Sequence, residues 1–64
     1  MIYRVFNSKR ELLAEIRDAH WPIIKKDDDI PVMIGGREAL YKVVEVGQFS
    51  TDRGNKLVLN IYVK

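Results

Sequence analysis

Cysteine is absent from these 64 residues, so neither a disulfide nor a thiolate metal site reinforces the fold. Long apolar runs are missing too. None approaches the ~20 residues that a membrane-spanning helix requires. The chain opens on Met1-Ile2-Tyr3-Arg4, a strand-like pattern without the charged-then-apolar layout of a signal peptide. Charge of one sign is scarce: eleven basic and nine acidic residues leave a net +2, with the signs interleaved. Nucleic-acid binders usually gather positive charge on one face, so charge alone favours that class only slightly. These absences lead us to expect a complete, stand-alone cytoplasmic protein with no membrane segment.

What is present is a hydrophobic fraction of 47%, ordinary for a globular chain and too high for a disordered one. A chain of this length buries only about 60% of the surface its unfolded form exposes. We expect one domain, residues 1–64, whose small core makes a homodimer or a bound partner a natural source of extra stability.

Ile2–Phe6 is rich in β-branched and aromatic side chains and reads as a first strand. Ser8 followed by Glu11 matches the S-x-x-E capping box, which predicts a helix from Lys9. Leu12, Leu13, Ile16 and Ala19 would line its buried stripe, and Trp21-Pro22 would end it, with Trp21 closing the core edge. Ile30–Ile34 reads as a strand with Pro31 near its start, and Gly35-Gly36 as a tight hairpin turn. A third strand is predicted from Glu38 to Val46 and a fourth over Leu57–Val63, joined through the turn chemistry of Ser50–Lys56. The predicted fold class is α+β, a two-layer β-α-β-β-β arrangement with one helix on a mainly antiparallel sheet. A small SH3-like barrel is the alternative.

Alternation assigns Leu57, Leu59, Ile61 and Val63 to the core, opposite Leu40, Val44 and Val46. That register puts Lys42 on the core side, a misfit that a β-bulge would remove. The opposite face would carry Tyr41, Val43, Glu45, Val58, Asn60, Tyr62 and Lys64, more apolar than a solvated face needs. Tyr41, Val43, Val58, Asn60, Tyr62 and Lys64 are therefore the predicted partner-binding residues.

No pattern of catalytic chemistry stands out. His20, the lone histidine, reads as structural, near a helix C-terminus. Asp27-Asp28-Asp29 lacks the glycine an EF-hand needs at its sixth position, where Val32 stands, so it reads as a solvated acidic loop. Gly35-Gly36 has no phosphate-loop context, and neither Ser8 nor Ser50 has a nucleophile's setting. We expect no enzyme, no metal and no cofactor. The leading expectation is a small binding or regulatory protein of phage or prokaryotic type, working through protein–protein contacts. The alternative is a nucleic-acid-binding module in which Tyr41 and Tyr62 stack on bases.

Overall fold

The computed structural model describes residues 1–17 and 24–64. It contains five strands: β1 (Ile2–Phe6), β2 (Leu12–Arg17), β3 (Asp29–Ile34), β4 (Arg37–Thr51) and β5 (Leu57–Val63). They form one sheet in the order β2-β1-β5-β4-β3. Each strand runs antiparallel to the next wherever the two are paired, while β1 and β5 lie parallel. A chain that runs up and down five times brings its first and last strands together pointing the same way. A parallel ladder is then the one they can form.

The expected helix is not there, and the two-layer α+β arrangement is corrected to an all-strand fold among the described residues. Leu12, Leu13 and Ile16 fit a helical stripe, yet they fit a bulged strand as well. Ala14 and Ile16 face the core, and the register shift between Val5 and Phe6 gives Leu13 a place against it too. Tertiary context decides between the two patterns. Without β2, the apolar β1 would be an open sheet edge. Ala19, His20, Trp21 and Pro22, which the sequence assigns to the helix end, lie outside the described residues.

The capping-box chemistry is present but serves a different structure. Asn7, not Ser8, is the acceptor: its Oδ1 takes the amides of Lys9 and Glu11, each at 2.9 Å. The Asn7 amide donates to the Glu11 carbonyl, and Arg10 adopts φ 63°. This is a three-residue hairpin loop with a left-handed third residue. The β4–β5 turn repeats it. Asp52 Oδ1 accepts from Gly54 and Lys56, the Asp52 amide donates to the Lys56 carbonyl, and Asn55 takes φ 61°. Gly35 and Gly36, at φ 58° and 78°, make the two-residue turn expected between β3 and β4.

The sheet is strongly curled. A straight strand the length of β4 would extend about 50 Å, but the longest dimension of the molecule is 29 Å and the shortest 24 Å. β4 bends at two register shifts, Val43/Glu45 and Val46/Phe49. Its first half pairs with β3 and its second with β5, which turns the sheet into a half-barrel. This is closer to the small SH3-like barrel than to a helix-covered sheet. The concave side holds Tyr3, Val5, Ile30, Val32, Val43, Leu59, Ile61 and Val63, all buried in one cluster. Full burial of such an aliphatic side chain contributes about 1.5–3 kcal/mol. Ile2 and Val58, neighbours in the parallel β1–β5 register, are buried on the other face. Burial on both sides is usual for parallel strands, and β1 and β5 both carry buried side chains on both faces.

Candidate interaction surface

The bend in β4 decides which side chains share a face. Before it, Tyr41 and Val43 point to the core; after it, Val46 does. The extra residue at Val43/Glu45 reverses the alternation, so a single register cannot be carried along the whole strand. Leu40, expected inside, is 71% exposed, and Val44 is also on the surface. Lys42 is exposed and pairs across the ladder with Asp29, which removes the misfit.

The six residues predicted to bind a partner are consequently divided. Val43 is 0% exposed and Tyr41 packs against the core cluster, so both belong to the concave side. Val58 lies on the convex side but is 1% exposed and has no surface to offer. Asn60, Tyr62 and Lys64 follow it on that side, the first two half-buried and Lys64 exposed. The two tyrosines therefore stand on opposite faces of the sheet. They do not form a common stacking platform.

Tyr62 is also engaged already. Its ring stacks on Phe6 with centroids 5.5 Å apart and planes 27° from parallel. The Arg10 guanidinium sits 4.9 Å from the Tyr62 centroid, a cation–π distance. Gly47 makes room for this group: a Cβ there would lie 3.6 Å from the Tyr62 ring and 3.2 Å from the Asn60 carbonyl. Asn60 Oδ1 is buried without a hydrogen-bond partner among the described residues. On the adjoining strands Glu15 joins Arg4 at 3.2 Å and Arg17 at 2.8 Å. The hydrogen bond from Arg4, followed by the bond and charge of Arg17, holds the Glu15 carboxyl below its usual range.

The acidic run is exposed, as expected, but it is also tied to the sheet. Asp28 Oδ2 accepts from the Lys25 amide at 2.8 Å. The amide of Asp27, at φ 74°, donates to the Val43 carbonyl, and the Val43 amide donates to the Asp28 carbonyl. Both bonds fall where β4 bends. Among the described residues, no three carboxylate or imidazole groups converge as a metal site would require.

A different surface carries the two most exposed large hydrophobic residues described. On the outward side of the β3–β4 hairpin, the ladder pairs Asp29 with Lys42, Pro31 with Leu40, and Met33 with Glu38. Met33 is 61% exposed and Leu40 71%, the two largest values among the large hydrophobic residues described. Pro31 beside them is exposed too. The turn contained the signal for this patch. A two-residue Gly35-Gly36 loop fixes Ile34 opposite Arg37 and hence Pro31 opposite Leu40. With Ile30 and Val32 facing the core, Leu40 has to face out.

No protein-family model, curated protein or solved structure matches this chain.

Proposed function

We propose that this chain is a small, non-enzymatic binding or regulatory protein of the cytoplasm that docks a protein partner through the outward face of the β3–β4 hairpin. The observation supporting this reading is that Met33 and Leu40 stand on neighbouring rungs of one face, both more than half exposed. Exposed aliphatic groups that adjoin one another mark an interaction surface more often than scattered ones do. Pro31 adds a constraint on how docking occurs. It has no amide hydrogen, so edge strand β3 lacks a donor at its middle and is a poor template for strand addition. Contact is then made by side chains on the face.

The test is a Met33→Asp/Leu40→Asp double variant. Both sites are on the surface, so its urea midpoint should stay close to wild type, within about 0.5 kcal/mol per site. Partner capture by a photo-reactive group placed at Glu38 should disappear. Capture that persists in the folded double variant refutes this surface.

A further inference from the structure

The geometry points to a second copy of this chain as the occupant of the hairpin face, an inference that rests on the docking surface proposed above. Three ladder rungs make up that face: Asp29–Lys42, Pro31–Leu40 and Met33–Glu38. The rung nearest the bend is charged on both strands, the central rung is apolar on both, and the rung nearest the turn sets Met33 beside Glu38. A two-fold axis in the plane of the interface, crossing the strands at the middle rung, reverses this order in the second copy. Leu40 then meets Leu40 of the other copy. On β4, Lys42 of each meets Glu38 of the other, so two opposite-charge contacts flank the Leu40 pair. On β3, Asp29 of each lies over Met33 of the other, beside the Lys42–Glu38 contact. Within one copy these two residues are not cross-strand partners, because Glu38 pairs with Met33 and Lys42 with Asp29. Their complementarity is realised between copies. Such an isologous contact also closes on itself and gives a dimer, whereas a head-to-tail contact of one apolar patch risks open chains.

The size of the face sets the strength. Stable specific interfaces bury about 800 Å² per partner from roughly 20–30 residues. Six residues and their neighbours supply much less, so dimerisation belongs at hundreds of micromolar, about 5 kcal/mol in association free energy.

The decisive experiment is sedimentation equilibrium of the full chain from about 10 μM to 2 mM, with E38K and K42E each made singly. Wild type should approach the dimer mass at the upper end. Each single variant places like charges at both flanking contacts and should dimerise about tenfold more weakly, consistent with exposed ion pairs of up to ~1 kcal/mol each. An equimolar mixture of the two variants should recover association, because both cross-copy contacts are then between opposite charges. Adding Leu40→Asp to both should abolish that recovery, which separates docking at this face from non-specific attraction between oppositely charged chains. Far-UV spectra and urea midpoints check that every variant is folded. Wild type that remains monomeric at 2 mM, or a mixture no more associated than its components, overturns the second copy as occupant. The Met33→Asp/Leu40→Asp capture result then decides the docking surface separately: loss of capture keeps that surface with a different partner, and unchanged capture removes it.

Discussion

Val43 and Val44 are consecutive valines, and truncating each to alanine isolates the effect of the bend in β4. Val43 is fully buried, and its backbone is held by Asp27 and Asp28; Val44 is 36% exposed. Val43→Ala removes two methyl-sized groups from the core, about 1.6 kcal/mol at ~0.8 per buried carbon, and leaves a cavity that raises the cost to about 2–3 kcal/mol. A chain of this length has a total stability of roughly 3–10 kcal/mol. The substitution therefore removes a large share of it and multiplies the unfolded fraction by about 30–150. Urea unfolding followed by far-UV circular dichroism should show the midpoint falling by about 2 M or more, given a slope near 1 kcal/mol/M. The melting temperature should drop by roughly 8–20 °C. Val44→Ala should cost less than about 1 kcal/mol. Equal effects, or a larger one at Val44, would refute the bulge between Val43 and Glu45 and with it the outward placement of Leu40.

Two other predictions concern the twin loops and the ion pairs. Asn7→Ala should destabilise by about 1–2 kcal/mol through two lost acceptor contacts, whereas Ser8→Ala should be near neutral; the reverse order in thermal melts would restore the helix-capping reading. Bonds from the Lys56 and Gly54 amides hold the Asp52 carboxyl below its ordinary range, as the Arg4 bond does for Glu15. A depressed folded pKa means that both contributions are complete above the unfolded values near pH 4 and are lost as pH falls through the folded values. Asp52→Asn, which keeps the acceptor and mimics Asn7, and Glu15→Gln should each flatten the acid limb of a stability-against-pH curve. An acid limb identical to wild type in both variants would exclude these carboxylates as its source.

Much of the sheet was legible in the residues. β1, β5 and the Gly35-Gly36 turn follow from strand propensity and turn chemistry, which act within a few positions, and the turn predicted over Ser50–Lys56 is found in its Asp52–Lys56 part, with Ser50 and Thr51 still in β4. Two features were not legible, for one reason: both depend on pairing with another strand rather than on a residue's own neighbours. Leu12–Arg17 carries good helix formers, and its extended form is selected by pairing with β1. The face of each β4 side chain depends on bulges that no local signal announces, so unbroken alternation assigns Tyr41 and Val43 outward and Leu40 to the core, the reverse of where they stand. The proposed docking face was hidden by that second error. Registering β4 from its glycine turn, rather than from β5, exposes it.

The parallel contact between β1 and β5 has a consequence for how the molecule comes into being. Ile2 pairs beside Val58, so neither β1 nor β5 has both its neighbours until the two have met across the intervening β2, β3 and β4. The β1–β2 and β3–β4 hairpins can form and dissolve locally, but the sheet is joined through the pairing of β1 with β5. Loop closure over nearly the entire length must precede the reward of burying Val5 against Ile61. Until β5 is in place, β1 carries a bare edge. The seven-residue β5 is the latch of the sheet: it joins the β1–β2 hairpin to β4 and β3, and the edges it covers stay bare until it engages.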